Sequence, residues 1–492
     1  MPLGDPPRIR RWSGSSWALP ARWGAVIVGL AFLASRFWYH ARGIRFDVST
    51  IPYFDQLLDP ILLRGRLWES LFYLHGQPPL FNLLTGVALK AAPTNPKVIL
   101  LPVFLACGLY LGLCQYLIMV RLRVPVIVAT LTASAIVASP ACVLYENWYF
   151  YPHLNVAWLL GAVAWLAQSR GRPGGEMAIS AAHLGGLSLT RSLFHPLFFG
   201  LAATLIVALV SRGARRKALA CFALPGLLLF LWCAKNQVLF GFFGTSSWGS
   251  RNVSHAVETI VGANRVQAEA RLGHLSPAIG VGPFESGTRN EAVFGLTHKT
   301  TGIPALDNVN KQVPSSHSVS YNHWSYPATA HFYAHDARQL IASYPRTYFR
   351  GLLKLSLPNF LLPVDQSGFF QPNRDFIATA TARFDSFDHS DAAQLILAAG
   401  LALSLVAACA RATARGDRMV LALAFLAFAW VTSVGLVGEL GENNRFRYKV
   451  LWLAWAVAIA GHATAIRSLR GAFRSRRRVG VLGPPAATEP AR

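Results

Sequence analysis

Apolar runs of membrane-spanning length, separated by short arginine-rich loops, constrain this chain more than any other feature. A helix needs roughly 17–25 residues to cross the hydrocarbon core. About ten segments come near that length, beginning near residues 21, 98, 124, 150, 177, 192, 218, 392, 419 and 450. The weakest is the run from 177, which is short and contains His183, Gly185 and Gly186. With 53% hydrophobic and only 14% charged residues, the chain is too apolar for a soluble core. The expected fold is all-α: a polytopic transmembrane helical protein of about ten spans plus interfacial helices, with a large outer (periplasmic) loop.

The net charge of +24 raises the question of nucleic acid, but its distribution argues against that partner. Basic residues cluster between apolar runs, at Arg121 and Arg123, at Arg170 and Arg172, and within 212–217, 411–418 and 467–478. Cytoplasmic loops carry such clusters under the positive-inside rule. Counting spans from an N-terminus inside puts every cluster inside, provided that 78–92 does not cross. That stretch opens on Pro78 and Pro79 and is short for a span, so it reads as an interfacial or re-entrant helix. The organisation that follows is a basic cytoplasmic tail (1–20), a transmembrane module (21–240) with a first outer loop (41–97), a large outer loop (241–391), a second transmembrane module (392–467) and a basic, disordered cytoplasmic tail (468–492). Arg8, Arg10 and Arg11 ahead of the first run suit a signal anchor. The expected location is a bacterial inner membrane, with both termini cytoplasmic.

Turn-forming residues recur through 241–391, which contains a helix over 328–340 and an amphipathic helix over 345–357 stopped by Pro358. Arg346, Arg350 and Lys354 share one face of the latter, as a headgroup-facing stripe does. The six cysteines lie in or beside apolar runs and form no CxxC, so no disulfide or zinc framework is expected. His331 and His335 make at most half a metal site, no metal is expected, and Asn252-Val-Ser254 is a weak glycosylation match.

The densest chemistry lies in 45–80, which holds four carboxylates, a histidine and a Pro-Pro pair. Asp47 follows the first span at the water–membrane boundary, where a carboxylate would deprotonate an acceptor hydroxyl; its structural alternative is to cap a helix running to Leu58. Asp55 is the candidate second carboxylate, Asp59 before Pro60 suits a cap, and Glu69 suits a pair with Arg64 or Arg66. His75 and Gln77 are fixed by the two prolines that open the interfacial helix. Glu146, in the aromatic turn YENWYFYPH at 145–153, needs a partner or a task.

Cations on the outer side run against the topological bias and ask for an anion. Arg191 and His195 lie four apart at the start of the sixth span, and Arg445, Arg447 and Lys449 crowd the last outer turn. A phosphate is one reason for such groups, and a carboxylate such as Glu146 is the other. A transferase on an outer face has no ATP, so its donor must arrive activated through the lipid.

These features resemble the C-fold membrane glycosyltransferases, in particular the protein O-mannosyltransferase and aminoarabinose-transferase branch. The resemblance rests on Asp47 after the first span, on His75-Gly-Gln-Pro78-Pro79-Leu80 about 28 residues later, and on Ser139-Pro140 leading to Glu146 and Pro152. It covers roughly residues 20–240, and the rest matches by topology alone. Asp47 is followed by Val48 and Gln77 precedes the Pro-Pro pair, both departures from the family pattern. The resemblance favours Asp47 over Asp55 as base. It implies inverting transfer of a sugar from a polyprenyl-phosphate-linked donor to a hydroxyl of a glycolipid, cell-wall glycan or protein. Arg191, Arg445 and Arg447 would then hold the donor phosphate, with His75, Gln77, Glu146 and His195 shaping the pocket. No organic cofactor is expected, and a divalent cation is left open. The rival expectations are a transporter or flippase of lipid-linked sugars and a non-catalytic envelope-assembly scaffold.

Overall fold

The computed structural model describes residues 19–313, 318–364, 370, 373, 390–410 and 414–481. Its described residues are helical throughout, apart from loops and two isolated β-bridges. Six helices are long and apolar enough to cross a membrane: Ala21–Ala41, Lys97–Arg121, Arg212–Phe240, Asp391–Cys409, Arg415–Val437 and Asn443–Ala472. A seventh candidate is the pair Val126–Val137 and Pro140–Glu146, bent by 52°. The three other runs form Tyr151–Ser169, Gly175–Thr190 and Pro196–Leu209, of which the last two are shorter than a usual span. This is a multi-pass helical membrane protein.

Local sequence explains the breaks. Proline sits in the first helical turn after a capping side chain at Asp59-Pro60, Ser139-Pro140 and His195-Pro196, where it gives up no needed N–H. The capping atoms accept from the backbone N–H of Ile61 (2.8 Å), Cys142 (3.3 Å) and Leu197 (3.2 Å). At Ser139-Pro140 the same chemistry kinks the bent pair. Past it the chain unwinds, and Asp47 bridges 147–149 through Asp47 N–H to Asn147 O (2.8 Å) and Tyr149 N–H to Asp47 O (2.9 Å).

One apolar core runs through the bundle from Val28 to Ala460. A smaller core of Val257, Ile260, Val261, Val266, Ala337, Leu340 and Tyr348 organises the polar segment. Helices Gly249–Val261 and Ser325–Ser343 supply most of that second core.

Two sequence expectations are corrected here. The helix from Pro345 does not stop at Pro358: it passes through a π turn at Leu352–Ser356 and continues as Leu357–Leu361. Pro358 lies in the first turn of that last piece, and the widened turn before it removes the usual clash. The stretch after 467 is not wholly irregular either. Helix Asn443–Val481 continues through its arginines, and Pro484 is the first proline beyond it. Residues 1–18 and 482–492 lie outside the described residues.

Candidate active site

The first loop and the polar segment are fastened together at Asn322. Its Oδ1 accepts from His75 N–H (2.9 Å) and Gly76 N–H (3.2 Å), while its Nδ2 donates to Tyr73 O and Ala305 O (both 3.1 Å). His75 is fully buried, with its ring bonded to Ser247 Oγ (2.9 Å) and Asn322 O (3.0 Å). The carbonyl can only accept, so Nε2 carries the proton and Nδ1 accepts from the serine. Burial drives this imidazole down to about 3, although its bond to Asn322 favours the charged form. His75 is therefore a neutral clasp.

Asp47 is only partly buried, and its Oδ1 accepts from Ser49 N–H (2.8 Å) in a local turn; the helix that follows is Thr50–Tyr53, well short of Leu58. Asp59 caps Pro60–Gly65 and also accepts from Gln312 N–H (2.6 Å), and Glu69 pairs with Arg66 at 3.4 Å.

Asp55 has a different setting. Desolvation raises its carboxyl above the usual range, against the charges of Lys311, Arg445 and Arg191 and its own backbone N–H. Lys311 comes from the polar segment, donates to Phe54 O (2.8 Å), and is pulled by burial to about 8 despite Asp55 and Asp59. A small, half-open pocket lies between this loop and Ser320–Asn322, with Asp55 and Gln77 in its wall.

Gln77 joins that pocket to a cluster of buried cations. Its Oε1 accepts from Arg191 Nη1 (3.1 Å) and Ser192 Oγ (3.4 Å). The Arg191 guanidinium lies 4.2 Å from the Tyr151 ring centroid, and Lys449 Nζ lies 5.9 Å from the same ring and 3.9 Å from that of Phe446. Arg445, one turn before Lys449, stands 3.1 Å from Glu442 and 4.0 Å from Glu439. Arg191, Arg445 and Lys449 are each over nine-tenths buried. Arg191 and Lys449 have no carboxylate within ion-pair distance among the described residues, and Arg191 Nε is buried without a hydrogen-bond partner. Buried cations in that state favour an anion.

The other predicted residues lie elsewhere. Arg447 turns to Leu362 O (2.9 Å), and His195 is exposed and caps its helix. Glu146 is fully buried against Arg36 (2.7 Å), with His153 at 3.9 Å. Sequence reading left out Lys311, Lys449's place on the Arg445 face, and Arg36. Two of the three had a usable signal: i, i+4 spacing from Arg445, and an arginine inside an apolar run. His335 pairs with Asp336 (3.1 Å), and among the described residues no group of three His, Cys, Asp or Glu side chains converges as metal ligands.

No family model, curated protein or solved structure matches the chain. The class of the protein, a multi-pass helical membrane protein, rests on its own helices.

Proposed function

We propose that this chain is an integral membrane glycosyltransferase of a bacterial inner membrane. It transfers a sugar from a polyprenyl-phosphate-linked donor to a hydroxyl of a glycolipid, cell-wall glycan or protein on the outer face. The observation that carries this reading is that the charges of buried Arg191 and Arg445, which share a cluster with Lys449, reach the partly buried Asp55, with Gln77 bonded to Arg191 and set in the wall of the Asp55 pocket. The cations stabilise the polyprenyl phosphate as its bond to the anomeric carbon breaks. Asp55 takes the proton of the acceptor hydroxyl as that oxygen bonds the same carbon from the opposite face, which inverts it. A raised carboxyl is better matched to that proton transfer than a free one. Asp55 thus takes the role that the sequence gives to Asp47, whose Oδ1 is bound to its own turn.

Purified protein in lipid nanodiscs, incubated with a panel of polyprenyl-phosphate sugars, tests the reading. Carrier capture with sugar transfer that is lost in Asp55→Asn supports it. Capture without any transfer in the wild type favours a carrier-moving protein, and no capture at all overturns it.

A further inference from the structure

We infer that the helical stretch 345–361 is a docking surface for anionic phospholipid, laid along the bilayer surface on the side of the polar segment. Its two ends fix its depth. The first half belongs to the core of the polar segment: Tyr348 is buried there, and Gly351 packs on Ile260 so closely that a Cβ would clash. The second half is fastened to the membrane-spanning bundle. Phe360 is buried against Gly435 and Phe446, and just past the helix Arg447 donates to Leu362 O (2.9 Å) and Asn444 Nδ2 to Pro363 O (2.7 Å). Gly435, Asn444 and Phe446 flank the short turn 438–442 that joins the spans Arg415–Val437 and Asn443–Ala472. So short a turn between two spans lies at the membrane surface, and the helix tied to it lies there too.

The side chains on this helix are sorted by row. Residues four apart share a row, and the row of Tyr348, Ser356 and Phe360 is buried in the protein. Two neighbouring rows face outward. One holds Phe349 and Leu353, which are 60% and 66% exposed, and the next holds Arg346, Arg350 and Lys354, all exposed. Leu361 and Leu362 carry the exposed apolar edge on toward the spans. A helix at the acyl–headgroup boundary buries such an apolar row in lipid and holds the adjoining cations at headgroup depth. The stretch 345–361 contains no acidic residue, and none of its three cations has a carboxylate within ion-pair distance among the described residues. Anionic headgroups supply the missing counter-charge. A soluble acidic partner would leave Phe349 and Leu353 bare, and a zwitterionic headgroup brings no net charge.

Hydrogen exchange of the full chain reads this docking, in nanodiscs of phosphatidylcholine alone and in nanodiscs of equal parts phosphatidylcholine and phosphatidylglycerol. In wild type, amides of 345–361 should exchange about fivefold or more slowly in the anionic bilayer, the scale of one cation at an anionic surface. Salt at about 0.5 M should erase that difference by screening. Replacing all three cations, as Arg346→Gln, Arg350→Gln and Lys354→Gln, should erase it at low salt, with exchange in Ser325–Ser343 unchanged. Phe349→Ser with Leu353→Ser should speed exchange of 345–361 in both bilayers. A wild-type helix indifferent to bilayer composition overturns the inference, and so does a composition dependence that survives salt or the triple substitution. Should exchange in Ser325–Ser343 rise in the triple variant, its fold is lost and the salt response of wild type decides.

Discussion

Arg36 and Glu146 form a two-pronged ion pair inside the bundle. Arg36 Nε donates to Oε1 at 2.7 Å and Nη2 to Oε2 at 2.8 Å, with both residues nearly inaccessible. The pair ties the first span to the bent pair, just before the chain unwinds to meet Asp47. Gly108 makes room for it, since a Cβ there would stand 1.8 Å from Glu146 Oε2.

Removing one partner strands a buried charge. Arg36→Met alone should destabilise the protein by about 3–5 kcal/mol, whereas Arg36→Met with Glu146→Leu should recover much of that loss. Thermal unfolding followed by fluorescence-detected size exclusion reads both. Additive losses would mean that the pair contributes no coupling.

Within the cation cluster the effects should be uneven. Lys449→Ala and Arg191→Ala should each weaken capture of a polyprenyl phosphate by at least about tenfold, the scale of one charge-assisted hydrogen bond. Arg447→Ala should change it by less than about threefold, because that guanidinium holds Leu362 O. Equal losses at 447 and 449 would refute the placement.

The two aspartates separate in the same way. Asp55→Asn should lower transfer by about 100-fold or more with carrier affinity kept, on the scale of a lost general base. Asp47→Asn keeps an oxygen able to accept from Ser49 N–H and should retain most activity. Loss of transfer in Asp47→Asn alone would return the base to the position that the sequence favours.

Acid should loosen the clasp. Burial holds the His75 pKa at about 3, below its usual 6.5, so the unfolded chain takes up this proton first as pH falls. The resulting stability is complete above about pH 6.5 and is lost progressively toward pH 3. A melting-temperature profile should slope downward through that window, and His75→Asn should flatten the slope. Parallel profiles for the two proteins would show that other groups dominate.

Much of this could be read in the sequence, and the remainder has identifiable causes. Every apolar run proved helical, and Arg191 and Arg445 do converge, because spans and stray cations announce themselves locally. Arg447 misled because 443–449 reads as a turn. Once the helix starts at Asn443, residues 445 and 449 share a face and 447 points away. Asp55 outranks Asp47 only through Lys311 and the Ser320–Asn322 wall, more than 250 residues distant in the chain, which no local pattern carries. Glu146 reads as a site residue in the sequence because Arg36, its partner, is hidden in the first apolar run.

The helix beginning at Asn443 brings Arg445 and Lys449 to a cluster whose other members lie near residues 55, 77 and 191. A nascent chain that stops at residue 440 therefore lacks two of the cluster's cations. Until the helix from Asn443 threads into the membrane, Arg191 waits with an incomplete set of neighbours. On the proposed function, insertion of this helix and onset of activity should thus be one event on the biosynthetic clock, and nascent chains truncated before Asn443 should not capture a polyprenyl phosphate.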